Sequence, residues 1–153
     1  MTTKDYLFNI LSVRAYTEKE ALKKLKSKKY PLGEIEEAIG LAKGYGYISD
    51  ERYANVYALS QSDSKGTFRI KQELLEKGVD GELIKIALEQ SEIDDRATCL
   101  KLVEKFLQNN QMLTKKLIEK LVRSLSYKGF SFAIIKTVFE ELGVRNEEVI
   151  IDN

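Results

Sequence analysis

Lys116, Lys120 and Arg123 stand at i, i+4 and i+7, a spacing that lines three cations along one side of a helix, next to an apolar face that includes Leu117 and Leu121. Such a row neutralises phosphates or meets an acidic protein surface. A lysine-rich solvated helix has the same appearance. The surrounding sequence shares the sign: residues 96–139 hold nine Lys/Arg against Glu104 and Glu119, a net of +7, in a chain whose total is only +1. Lys19, Lys23 and Lys26 repeat the stripe spacing near the N-terminus, whereas KKLKSKK at 23–29 spreads its five lysines around the helix. Tyr45 and Tyr47 flank Gly46, where rings either stack on bases or a partner or pack half-buried with a wet hydroxyl.

Residues for covalent or metal chemistry are scarce. The chain has no histidine, which removes the commonest general base and metal ligand, and a single cysteine, Cys99. No metal site and no cofactor are expected. The chain contains no phosphate-binding G-x-x-x-x-G-K-[ST] loop, and Gly44-Tyr45-Gly46 is only a fragment of a glycine fingerprint. Neighbouring acids such as Glu36-Glu37 and Asp94-Asp95 read as helix-start and surface charge rather than an acid/base pair. Cys99, between Ala97 and Leu100, reads as a small core residue. These residues predict a binding protein and not an enzyme.

The elements that position them are helical. Hydrophobic residues make up 43% and charged residues 32% of the 153, the balance of a chain that folds, and the single proline leaves long helices unbroken. No apolar run reaches the roughly 18 residues of a membrane span, and MTTKDYLFNILSVR is too short and mixed for a secretory signal. One cysteine fits a reducing cytoplasm, which is the expected location. Residues 4–14 have helical spacing; Thr17 with Glu20 forms a capping box for a second helix; Tyr30-Pro31 breaks it. A third helix over Ile35, Ala38, Ile39 and Ala42 ends at Gly44 and Gly46, where left-handed geometry is expected. Ser49 caps the next, with Tyr53, Val56, Tyr57 and Ser60 on one side. Phe68, Leu74 and Leu75 anchor a helix that stops at Gly78, and Asp80 caps another. Asp94 opens a helix with Leu100, Val103, Phe106 and Leu107 on its core side. Leu117, Ile118, Leu121, Val122 and Leu125 serve the next; Ser131 caps the last, which closes at Gly143.

These helices repeat in triplets. With Tyr30, Val79 and Phe130 as equivalent positions, the residue five earlier is Leu25, Leu74 or Leu125, and five later Ile35, Ile84 or Ile135. Anchors at fixed offsets are a repeat signal. The expected architecture is all-α, an elongated tandem array of three three-helix repeats (nine helices) built from helix-turn-helix-like units. The boundaries are 1–46, 47–92, and 93–153 with a short acidic C-terminal tail. A unit of about 45 residues buries too little surface alone, so neighbours must abut.

Gly46-Tyr47-Ile48-Ser49-Asp50-Glu51-Arg52-Tyr53-Ala54, Lys65-Gly66, Arg69-Ile70, Glu73-Leu74 and Lys77-Gly78-Val79 together resemble the signature of the RecX family, regulators of the RecA recombinase. RAYTEKEALKKL at 14–25 and Gly129-Phe130 resemble its first- and third-repeat motifs, so the resemblance spans the chain. It implies a non-enzymatic monomer that lies in the groove of the RecA–DNA filament, blocks its growth or promotes its disassembly, and restrains strand exchange and repressor cleavage in DNA repair and the SOS response. An affinity for single- and double-stranded DNA, weak without RecA, is implied as well. On this reading Lys65, Arg69, Lys77, Lys116, Lys120 and Arg123 touch filament or DNA, while Gly46, Ser49, Asp50, Gly66 and Gly78 are turn and cap residues. Two features depart from the family: Pro31 stands at a cap position, and Phe68-Arg69 replaces a basic pair. The alternative is a helical DNA-binding module acting without RecA, because helix-turn-helix units resemble groove readers.

Overall fold

A helix starts where something outside it accepts the N–H groups that its own first turn cannot satisfy. In the computed structural model, which describes residues 1–144, that rule sets the chain's punctuation. Nine helices, and no strand, occur among the described residues: α1 (Thr3–Val13), α2 (Glu18–Ser27), α3 (Leu32–Gly44), α4 (Asp50–Gln61), α5 (Thr67–Glu76), α6 (Gly81–Gln90), α7 (Asp95–Asn109), α8 (Lys115–Tyr127) and α9 (Phe132–Leu142). Thr2, Ser49 and Asp94 cap the first helix of each triplet in the same way, accepting the N–H three residues on at 3.0, 3.2 and 3.1 Å. Thr17 and Glu20 form the expected capping box. Pro31 precedes α3 without a side-chain cap, where Asp80 and Ser131 cap α6 and α9. The acidic tail expected at the C-terminus lies outside the described residues.

The repeat is visible in the backbone. Lys29, Gly78 and Gly129 end the second helix of each triplet in left-handed geometry, at φ 64, 87 and 96°. The following N–H groups, of Tyr30, Val79 and Phe130, reach back to the carbonyls of Leu25, Leu74 and Leu125 at 3.4, 3.0 and 3.2 Å. Lysine holds this conformation at a cost on the order of 1 kcal/mol, which glycine avoids. Leu25, Leu74, Leu125, Ile35, Ile84 and Ile135 are all buried, so the repeated anchors are core positions.

Several expected faces differ. The buried positions of α4 are Ala54 and Ala58, while Val56 and Ser60 are exposed. In α5, Ile70 and Leu74 are buried, and Phe68 and Leu75 are exposed. Gly44 lies in the last turn of α3; only Gly46 takes the left-handed geometry expected of both, at φ 77°.

Two compact units emerge. The first comprises Met1–Ala58 and Glu73–Ser91, with α1 and α2 packed on α3 around Leu7, Leu25, Ile35 and Ile39. Here the start of α2 meets the second triplet. The Thr17 hydroxyl, fully buried, donates to the Lys77 carbonyl at 2.6 Å, and the Glu18 N–H donates to the Asp50 carboxylate at 2.9 Å. A Cβ on Gly78 would collide with the stem of Lys19.

The second unit comprises Leu59–Gln72 and, among the described residues, 92–144, with α7 and α8 packed on α9 around Val103, Ile118, Leu125 and Val138. The same joint recurs one triplet later. The Gly66 N–H donates to the Lys128 carbonyl at 2.8 Å. The Thr67 N–H and hydroxyl both donate to Asp95, at 3.0 and 2.8 Å. A Cβ on Gly66 would lie 2.5 Å from the Gly129 carbonyl oxygen, and one on Gly129 would meet the backbone of Arg69.

The same substitution should therefore act in opposite directions at two glycines. Gly66→Ala should cost about 1–3 kcal/mol by overpacking the joint. Gly40→Ala, in α3 with no atom within 4 Å of the added carbon, should stabilise by about 0.5–1 kcal/mol. Urea denaturation followed by circular dichroism checks both signs.

Candidate binding face on α8

The two sides of α8 serve different purposes. Thr114 caps it by accepting the Leu117 N–H at 3.1 Å, and Ile118, Leu121 and Leu125 bury one side against the core. At about 100° per residue, Lys116, Lys120, Arg123 and Tyr127 fall within an arc of roughly 60° on the other side. All four are exposed. The stripe thus lies opposite the buried face rather than beside it, as the sequence suggested. It extends roughly 16 Å along the helix. Glu119 is the one acid on α8 against four bases.

The joint delivers further groups to the end of this stripe. Because Gly129 has no side chain, the backbone of Arg69 packs against the turn after α8. Its guanidinium then lies 4.6 Å from the Tyr127 ring centroid and donates to the phenol oxygen at 3.3 Å. Tyr127 remains 70% exposed. Lys65 directly precedes Gly66, whose N–H is bonded to the Lys128 carbonyl, so the backbones of two more basic residues meet at the turn after α8. The structure gathers Lys65, Arg69, Lys116, Lys120 and Arg123 in one unit. Tyr127 was the residue missed; its position four after Arg123 on the same helix stripe was the available signal. Arg96, counted in the basic segment, is committed elsewhere. Its guanidinium holds Glu141 through two bonds of 2.6 and 2.9 Å, and this partner raises its pKa.

Lys77 lies in the other unit. Its ammonium is 3.3 Å from a Glu20 oxygen and within 6 Å of the Tyr53 and Tyr57 rings. Burial pulls its pKa down, but Glu20 and Tyr53 outweigh that and leave it raised, so the lysine is cationic. It borders a cleft of about 440 Å³ also lined by Arg14, Lys19, Lys23 and Lys24. Tyr45 and Tyr47 are 62% and 57% exposed and form an aromatic group with the edge of Phe8.

The residues expected to be structural have local explanations. The Gly46 carbonyl accepts from the Arg52 guanidinium at 2.8 Å, Ser49 caps α4, and Asp50, Gly66 and Gly78 belong to the joints. Among the described residues no group of three or more His, Cys, Asp or Glu could hold a metal ion, and no helix is long and apolar enough to cross a membrane. Nothing resembling an acid/base pair accompanies the stripe; what the arrangement offers is phosphate or carboxylate contact plus one accessible ring.

Tandem three-helix units, one of them with a row of cations on a helix face, define a class of all-α repeat proteins. The second three-helix domain of RecX matches residues 49–88, and the third matches 94–139. The regulatory protein RecX of Haemophilus influenzae is 34% identical over 129 residues, 82% of this chain and 85% of that protein. RecX of Oceanobacillus iheyensis is 34% identical over 138 residues, 88% of this chain and 51% of its own length. The crystal structure of RecX from Lactobacillus salivarius superposes with a TM-score of 0.76 at 29% identity, covering 94% of this chain and 96% of that one. The chain belongs to the RecX family of regulatory proteins. It spans about half the length of several curated relatives it matches.

Cys99 is fully buried, and burial, with a smaller push from Asp95, raises its thiol pKa to about 11. At pH 8 the thiol should therefore be protonated and covered. Its modification by a disulfide reagent should be at least ~100-fold slower in the folded protein than in denaturant, as followed by released chromophore.

Proposed function

We propose that this chain binds along the groove of the RecA–DNA filament and restrains the recombinase, lowering its ATPase, strand-exchange and coprotease activities and so affecting DNA repair and the SOS response. Membership of a regulatory family supports the role. The single observation that carries the contact is the α8 face: Lys116, Lys120 and Arg123 are exposed on the side of the helix opposite its buried residues. Arg69, Lys65 and Lys128 extend the charge, and Tyr127 adds a ring. Lys77 contributes through the basic cleft of the first unit. The working form is a cytoplasmic monomer, and free DNA binds weakly. The exposed Tyr127 ring under Arg69 favours one further reading, direct stacking on an unpaired base by a module that needs no RecA.

RecA's hydrolysis of ATP on single-stranded DNA, measured while this protein is titrated below one copy per RecA, tests the proposal. Inhibition is expected, and no effect in excess would overturn it. The Lys116→Glu/Lys120→Glu/Arg123→Glu variant, its helicity checked by circular dichroism, should need at least ~10-fold more protein for the same inhibition, since each lost charge-assisted contact is worth roughly a kcal/mol or more. In direct DNA binding the same variant should flatten the slope of log affinity against log salt by about 2, at ~0.7–0.9 per phosphate contact.

A further inference from the structure

Both joints follow one rule. The start of a second helix (Thr17-Glu18, then Gly66-Thr67) is received by two features of the next triplet. One is the acid at the first position of its first helix, Asp50 or Asp95. The other is the left-handed turn ending its second helix, Lys77-Gly78 or Lys128-Gly129, whose carbonyl accepts the remaining bond. At that turn the approaching chain occupies the space where a Cβ would stand.

The first triplet lacks the acid and keeps the turn without its glycine. The residue matching Asp50 and Asp95 is Thr3, fixed by the identical cap bonds of Thr2, Ser49 and Asp94. Thr3 is turned inward, 3% exposed, and donates to Glu34 at 2.9 Å, so it offers no carboxylate to an incoming helix. The residue matching Gly78 and Gly129 is Lys29, in the same left-handed turn but with a side chain where the other two have none. Both departures affect the receiving half alone, because the donating residues of this triplet, Thr17 and Glu18, make their full set of bonds.

We propose that Thr3 and Lys29 close the first triplet against docking of a further three-helix unit like itself through the joint that links the internal triplets. Helical units with equivalent ends add heterologously and form open chains unless one end is blocked. Two substitutions, one removing the charge complement and one filling the contact space, provide that block. The inference stands apart from the proposed action on RecA.

The test uses amide hydrogen exchange at Glu18, whose N–H is bonded across the joint. Two extended chains are made, each with an added copy of residues 1–47 ahead of Met1, so that Thr2 follows the copy at the spacing Ser49 has. One keeps Thr3 and Lys29 in the receiving triplet; the other carries Thr3→Asp and Lys29→Gly there. The downstream Glu18 amide reports on the natural joint within the same molecule. In the unaltered receiver the added copy's Glu18 amide should exchange at least ~10-fold faster than the downstream one. In the altered receiver the two should exchange alike. Equal protection with the natural receiver, or a fast-exchanging added amide with the altered one, would overturn the proposal. The reciprocal exchange in the natural chain, Asp50→Thr with Gly78→Lys, should release Glu18 while leaving the Thr67 amide of the second joint protected. A Glu18 amide that stays slow there would equally sink the idea.

Discussion

The N–H at the first position of a helix has no partner within that helix, and this chain uses the vacancy twice to hold triplets together. Glu18 and Thr67 donate to Asp50 and Asp95 across 32 and 28 residues of sequence. A carboxylate at the positive end of a helix also gains from the dipole. Each bond contributes about 1 kcal/mol, but removing its partner from a half-buried joint leaves an unsatisfied N–H worth about 1–3 kcal/mol. Much else follows from keeping these bonds short. Thr17 is buried, Gly66 and Gly129 have no side chains, and the accepting carbonyls are those of Lys77 and Lys128, each just before a left-handed glycine.

The same constraint builds the binding face. Arg69 lies over Tyr127 because Gly129 lets its backbone approach, so one end of the α8 stripe is set by the joint and not by α8 itself. The rest of the stripe is the solvent side of an amphipathic helix whose other side is fully employed in the core. Lys77 shows the contrast. Its carbonyl serves one joint while its ammonium is shared between Glu20 and two phenol rings. One lysine there combines joint and surface, whereas Lys116, Lys120 and Arg123 are surface alone.

Local features were legible from residue types. Thr17 with Glu20, Asp80, Asp94 and Ser131 cap helices because a short polar side chain can reach only the next few amides. The anchors at Leu25, Leu74 and Leu125 are buried at equal offsets because the same turn follows each of them. The faces of α4 and α5 were not legible. Reading Val56, Phe68 and Leu75 as core followed size and apolarity, but Ala54, Ala58 and Ile70 are the buried residues. Exposed apolar residues carry little information about packing on their own.

By itself the sequence determined where helices begin and end, that they come in threes, and that three cations share one side of α8. Those features depend on neighbours within a few residues, where periodicity and capping act. Tertiary structure decided which helix Asp50 and Asp95 serve, that Arg69 lies over Tyr127, that Arg96 is spent on Glu141, and that Thr3 turns inward to Glu34. Each of these depends on groups tens of residues apart meeting within about 3–5 Å, and no local pattern encodes which distant backbone will arrive.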